Sequence, residues 1–274
     1  MFCARLGMAI ILLAISLTTP SANATSTLDK VVQSRQLRCG VMLDMPPSGY
    51  RTPANQPDGI DVAYCLDMAK ALGAKPQIVE TPSTDRIPAL VSDRIDVLIA
   101  STTPTPGRAL TVALSQPYMS YQTGVLTTKN SGIKKFDDLR GQRIGGVTGT
   151  SYEQTLSQII AKWNDPKTGY IGYQSDAESF LALQQGKVKA LLQSTEVNAA
   201  VISSGQFPDF INAGLAPWPP ELVSIAVKRD DQVFLNWVHM FIFTQVQSGR
   251  YKELYNKYIG PGDPPDLTVK GVDY

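Results

Sequence analysis

The sequence predicts an α/β fold of two lobes, each a mainly parallel sheet flanked by helices, with two hinge crossings between them. Three observations predict it. From residue 37 to residue 100 strand-like and helix-like patterns alternate as βαβαβ, the order of a parallel sheet with crossover helices. A second cycle of alternation starts at residue 124. After a proline-rich stretch an apolar strand pattern returns at residues 222–227, so the chain comes back to complete the first lobe.

In order, residues 37–43 (LRCGVML) read as the first strand and 61–72 as a helix ended by Gly73. Residues 76–80 are a short second strand, and 86–91 a helix with Pro88 tolerable in its first turn. Residues 96–100 are the third strand. The second lobe opens with a strand at 124–128, a helical turn at 135–139 and a strand at 142–147. A helix at 152–162 follows, then a helix at 175–185, a brief strand at 190–192 and a helix at 196–204. Residues 215–220 (LAPWPP) read as a linker, 222–227 as a strand, and 232–247 and 250–258 as closing helices, with an irregular tail from Gly260. The crossings fall near 120–124 and 219–223, which divides the chain into lobe 1 (25–123 and 223–274) and lobe 2 (124–222). Two lobes on two connections can close like a hinge.

Composition narrows the function classes. At 274 residues the chain is long enough for two domains, and 43% apolar with 18% charged residues is the balance of a core-forming protein. There is no long charge run, so nothing points to nucleic acid. A single histidine, His239, leaves little for metal clusters or histidine-based catalysis, and no metal or cofactor is expected. Arg5, the apolar run 6–17, Pro20 and the small residues Ala22-Asn23-Ala24 predict a secretory signal peptide over residues 1–24. It is too short for a membrane span. Cys3 precedes the apolar run and so cannot be a lipid-acceptor cysteine at the cleavage site. Without Arg5 the exported chain has no formal net charge.

Export lets the two remaining cysteines oxidise. Cys39 lies in the first strand and Cys65 in the first helix. If that helix packs on that strand the sulfurs can meet; two buried thiols are the alternative.

The third strand breaks off into Ser101, Thr102, Thr103 and prolines, with one arginine, Arg108, beyond them. In open parallel sheets ligands bind past the carboxyl ends of strands. A guanidinium presents paired donors that match a carboxylate, and Ser101 and Thr103 can complete the shell. The competing reading makes Arg108 a surface charge at a helix start. In lobe 2, Gly149-Thr150-Ser151 opens a helix with free N–H groups suited to an anion or polar group. Plain N-capping by Thr150 or Ser151 is the other reading.

Several stretches carry a resemblance: Gly59-Ile60-Asp61-Val62, Arg86-Ile87-Pro88-Ala89-Leu90 leading to Arg94-Ile95-Asp96-Val97, and Thr103-Pro104-Thr105-Pro106-Gly107-Arg108 before Ser115-Gln116-Pro117-Tyr118. In this order, over about residues 28–260, the chain resembles the family-3 extracellular solute-binding proteins of bacterial ABC importers. Cys39-Gly40-Val41 and Asp61-Val62-Ala63-Tyr64-Cys65 look like the general L-amino-acid-binding branch. The place of Cys3 predicts a soluble chain without a lipid anchor, while the resemblance implies a type II periplasmic-binding-protein fold, a periplasmic location, an inner-membrane permease as partner, and a small ligand bound by a monomer. It also implies a Cys39–Cys65 disulfide, and a grip on a ligand α-carboxylate by Arg108 and Thr103.

The pattern departs from the family at Ser194, where amino-acid binders place an aspartate for the ligand ammonium. Serine cannot neutralise a desolvated cation. Glu196 can substitute, or is simply an acid favoured at a helix N-terminus. Ser83 stands where relatives place an aromatic lid. Met45 and Tyr50 offer apolar ligand contact or ordinary packing. The leading expectation is a periplasmic receptor for a small carboxylate-bearing solute, an amino acid or derivative. The alternatives are an enzyme on this scaffold, resembling cyclohexadienyl dehydratases, and an accessory or sensory binding protein.

Overall fold

The structure, a computed structural model, describes residues 26–269. The expected signal peptide lies outside the described residues.

Helix α1 (Thr27–Ser34) starts under Ser26, whose hydroxyl oxygen accepts the Asp29 N–H, and leads into β1 (Gln36–Val41). Strands β2 (Asp44–Met45), β3 (Gly49–Arg51) and β4 (Pro57–Asp58) form a small separate sheet. Then come α2 (Ile60–Ala71), β5 (Lys75–Glu80), α3 (Arg86–Val91), β6 (Val97–Thr102), α4 (Pro106–Ala109) and β7 (Val112–Tyr121). Gln122 alone separates β7 from β8 (Thr123–Thr128), which enters the second sheet. A 3-10 turn (Phe136–Leu139), β9 (Arg143–Val147), α5 (Ser151–Trp163), β10 (Gly169–Tyr173), α6 (Asp176–Gln184), β11 (Ala190–Ser194), α7 (Thr195–Ser203) and β12 (Phe210–Leu215) complete it. The chain returns through β13 (Glu221–Lys228) to the first sheet and ends with α8 (Gln232–Gln247) and α9 (Arg250–Tyr258).

The two sheets repeat one plan. The first is ordered β5-β1-β6-β13-β7 and the second β10-β9-β11-β8-β12. In the first, β5, β1 and β6 pair in parallel, while β13 pairs antiparallel to both its neighbours. In the second, β10, β9 and β11 pair in parallel and β8 is the antiparallel one. Thus four strands of each sheet point one way and one opposes them. The opposing strand is in each case the one arriving from the other lobe. It enters at the edge where the parallel strands finish, so it must run against them.

Three strands were not expected, and one boundary shifts. The stretch 112–121 forms the long β7, masked in the sequence by Pro117 and by the polar pair Ser115-Gln116. Strand β10 was hidden by its glycines, and β12 by its place just before the proline-rich connection. That connection, expected over 215–220, begins after Leu215, which still belongs to β12.

Packing follows the layers. From α2 come Tyr64 and Met68, from α8 Phe234, Val238 and Ile242, and all are buried against Leu37, Val97, Ile99 and Ile225 of the first sheet. Cys65 and Cys39 form a disulfide that ties α2 to β1. Gly59 precedes α2 at φ 125°, and a Cβ there would meet the Ser48 carbonyl oxygen at 2.4 Å. Only glycine serves at this approach. A further cluster continues from lobe to lobe: Met42, Met45, Leu90 and Leu98 on one side, Phe180, Leu183, Val188 and Leu191 on the other.

Candidate functional site

The residues between the lobes come from the carboxyl ends of the parallel strands and from the first residue of the returning strand. Strand β6 delivers Thr103 and Arg108, β9 delivers Gly149 to Ser151, and β13 begins with Glu221. Both lobes therefore aim their strand ends at one cleft, at the point where strand order reverses on either side of β1 and of β9.

Arg108 lies in the single turn of α4, set by Pro106 at the helix start and by Thr105, whose hydroxyl oxygen accepts the Arg108 N–H at 3.2 Å. Its side chain is nevertheless buried, at 9% exposure. One Nη donates to the Thr103 carbonyl at 2.7 Å and the other crosses the cleft to the Gly149 carbonyl at 2.8 Å. A guanidinium has five N–H donors. Two are engaged among the described residues, which leaves donors for an incoming carboxylate. Burial pushes the Arg108 pKa down, against the pull of Glu221.

Arg86, which the sequence reading quoted only as part of a resemblance, joins it. Its guanidinium donates to the carbonyls of Ser83 (3.2 Å), Ala100 (2.8 Å) and Gly149 (3.3 Å). Burial, then repulsion from Arg108, lowers its pKa to about 10. Two buried cations therefore converge on one carbonyl, a surrounding that favours an anion. Gly149 adopts φ +82° to aim that carbonyl, in a region open to glycine and strained for other residues. The buried Ser83 hydroxyl lacks a partner among the described residues and lies beside this turn. A lone arginine just after β5, like the one after β6, was the available signal for Arg86.

Thr150 caps α5: its oxygen accepts the Glu153 N–H at 3.2 Å while its hydroxyl donates to the Val147 carbonyl at 2.8 Å. The Gly149 N–H goes to Glu153 at 2.7 Å, so one of the amides expected to be free is occupied. Ser151, by contrast, turns into the cleft. Its hydroxyl donates to Glu221 Oε2 at 2.7 Å, and Thr103 from the opposite lobe donates to the same oxygen at 2.9 Å. Burial raises the Glu221 pKa, while the Ser151 and Thr103 bonds and the two arginines work against that rise. Glu221 was missed because it closes a proline-rich stretch. It is also the only charged residue between Asp209 and Lys228, and a lone acid entering an apolar strand was the usable clue.

The other expected residues divide. Ser101 sits at φ +46° and donates its hydroxyl back into lobe 1, to Asp61 Oδ2 at 3.2 Å. Asp61 also receives the Tyr118 hydroxyl at 2.6 Å. Ser194 is buried and its oxygen accepts the Val197 N–H at 3.2 Å, capping α7. Glu196 has a buried oxygen without a partner among the described residues. It lines a groove of about 380 Å³ with Pro47 and Tyr258, and burial raises its pKa. Met45 packs in the cluster shared by both lobes. Tyr50 lies apart from these groups, with its hydroxyl on Asp58 at 3.3 Å. Burial lifts the carboxyl pKa values of Asp44 and Asp176, that of Asp176 well above the ordinary value. The Asp176 carboxylate accepts from Gln193. Among the described residues, no three His, Cys, Asp or Glu side chains are grouped to hold a metal ion, and no helix is long and apolar enough to cross a membrane.

Known proteins are similar to this chain in sequence and in overall fold. The L-glutamate/L-aspartate-binding protein of Pseudomonas aeruginosa is 26% identical over 95% of this chain and 88% of its own length. A crystal structure of the solute receptor for L-cysteine of Neisseria gonorrhoeae superimposes with a TM-score of 0.78, at 28% identity, over 86% of this chain and 94% of that one. An ancestral amino-acid-binding protein, described as a precursor of cyclohexadienyl dehydratase, does so with a TM-score of 0.76, at 27% identity, over 85% of this chain and all of that one. Residues 37–261 match a single family throughout, and the chain belongs to the bacterial extracellular solute-binding proteins, family 3.

Proposed function

We propose that this protein is the periplasmic substrate-binding component of an ABC importer. It closes its lobes on an amino acid or a related small carboxylate and passes it to an inner-membrane permease. The observation that carries the reading is Arg108: buried, preorganised by α4, and shared between the lobes through the Gly149 carbonyl with donors to spare. A carboxylate bound there is held by both lobes' strand-end loops at once, and charge-assisted bonds gain strength as water leaves. Relatives that carry amino-acid names in the same family support the ligand class. We take the protein to act as a soluble monomer, exported by residues 1–24 without a lipid anchor. Lobe 1 comprises 25–123 with 223–274 and lobe 2 comprises 124–222, while strand pairing assigns Thr123 to the second sheet and Glu221 to the first.

The test is a thermal melt of residues 25–274 against L-amino acids, 2-oxo acids, dicarboxylates, polyamines and prephenate-like acids. A ligand at a thousand times its dissociation constant adds about 4 kcal/mol of stability. We expect such a shift with at least one α-carboxylate, abolished in Arg108→Ala. Shifts that survive that substitution unaltered would remove Arg108 from the site.

A second reading, an enzyme on this scaffold, draws on the dehydratase precursor among its structural relatives and on the buried carboxyl of Glu196, whose pKa burial raises and whose Oε2 has no partner among the described residues. A protonated cleft carboxyl can act as a general acid. Mass analysis of the panel compounds after incubation separates the two readings: a receptor returns them unchanged.

A further inference from the structure

From the hydrogen bonding around Glu221 we infer that it is the counter-charge for a ligand ammonium, the role that Ser194 leaves unfilled. The inference rests on the amino-acid reading above and makes the ligand an α-amino zwitterion rather than a simple acid.

Hydrogen counting comes first. Thr103 Oγ1 and Ser151 Oγ lie 3.2 Å apart, and each is within 2.9 Å of Glu221 Oε2. Each hydroxyl has a single hydrogen. Because both are given to the carboxylate, the remaining capacity of this triad consists of lone pairs, on the two hydroxyl oxygens and on the second carboxylate oxygen. Such a group has no donor left for a ligand carboxylate. It accepts from N–H groups and carries negative charge, which is what an ammonium requires once it leaves water.

Position comes second. The triad takes Thr103 from the first lobe, Ser151 from the second and Glu221 from the first residue of the returning strand, so a cation seated on it is reached only as the lobes meet. Thr103 joins the two charges: its carbonyl accepts from Arg108 at 2.7 Å and its hydroxyl donates to Glu221 at 2.9 Å. A carboxylate seat and an ammonium seat therefore stand side by side, as the two groups do on an α-amino acid. The other free acids fit less well. Glu196 faces the groove beside Pro47 and Tyr258, and Asp44 starts β2 of the small separate sheet, opposite Tyr50. Ser194 spends its oxygen on the cap of α7. Glu221 reaches the cleft because β13 runs against its neighbours and so presents its first residue where they present their last.

The experiment uses matched probes that differ only in ammonium against hydroxyl: L-alanine with L-lactate, L-aspartate with L-malate, and L-phenylalanine with L-phenyllactate. Affinities are measured calorimetrically for wild type, Glu221→Gln, Glu221→Asp and Arg108→Lys. We expect Glu221→Gln to weaken the amino acid by about tenfold or more, the size of a lost charge-assisted bond, and to leave the hydroxy acid within about twofold. Glu221→Asp retains most of the preference for the amino acid. Arg108→Lys weakens both members of a pair. Should Glu221→Gln fail to fold, Glu221→Ala removes the same charge and produces the same selective loss. Equal effects on both members, or tighter binding of both in Glu221→Gln, overturn the assignment while the Arg108 result still stands. A wild type that binds no member of any pair overturns the amino-acid reading and this inference with it.

Discussion

Asp61 takes its hydrogen bonds from Tyr118 and Ser101 in full burial, and loss of solvent lifts its pKa to about 7 despite those bonds and the nearby Arg86. Between about pH 4 and pH 7 the unfolded chain would ionise this group and the folded chain would keep it neutral. The folded state then binds more protons, so Asp61 makes stability fall as pH rises through that window and then level off. Asp61→Asn should remove a slope worth a few kcal/mol, and urea denaturation of both proteins at pH 4.5 and 7.5 measures it. An unchanged slope would mean that other buried acids, Asp176 foremost, set it. At this scale the sequence was legible where a side chain broke a pattern. Arg108, Thr103 and Ser151 stand out at strand ends and do come together. Glu221 did not, because its place depends on strand direction, which no local pattern records. Ser101 was misleading in another way: its hydroxyl is turned inward by a left-handed backbone that the residue types do not announce.

At the scale of elements, the Cys39–Cys65 disulfide joins the first strand to the first helix across a separation of 26 residues. Closing a loop of that length restricts the unfolded chain by about 3 kcal/mol. The double replacement Cys39→Ser, Cys65→Ser should lower stability by roughly that amount in denaturant titration, with ligand affinity nearly unchanged because neither residue faces the cleft. Strands such as β6 and β13 were legible from their apolar runs, broken in β13 only by Ser224. Helices α2, α5 and α8 were legible from their stops, caps and length. Strands β7, β10 and β12 were not. Each carries prolines, glycines or polar residues that a strand tolerates only because its neighbours complete the ladder, and those neighbours are distant in sequence.

For the molecule as a whole, the two lobes share part of one apolar cluster, with β2 placing Met45 against the lobe that carries Phe180 and Leu183. Closure therefore has a hydrophobic component besides the arginine bridges. Burying a methionine is worth about 1.5–3 kcal/mol, so Met45→Ala should raise the radius of gyration of the ligand-free protein in X-ray scattering and weaken ligand binding roughly tenfold. An unchanged radius would leave closure to the polar contacts alone. The two-lobed plan was legible because the βα alternation stops and restarts, whereas the pairing that holds the returning strand in place was not. In that pairing Glu221 sits opposite Tyr121, the residue at which the first sheet lets the chain go. The departure and return points are thus neighbours on adjacent antiparallel strands, and the whole second lobe hangs from the first as an insertion into what is otherwise a β-hairpin. The second lobe is thus a module carried between two paired strands, on a scaffold that keeps both ends of the described chain to itself.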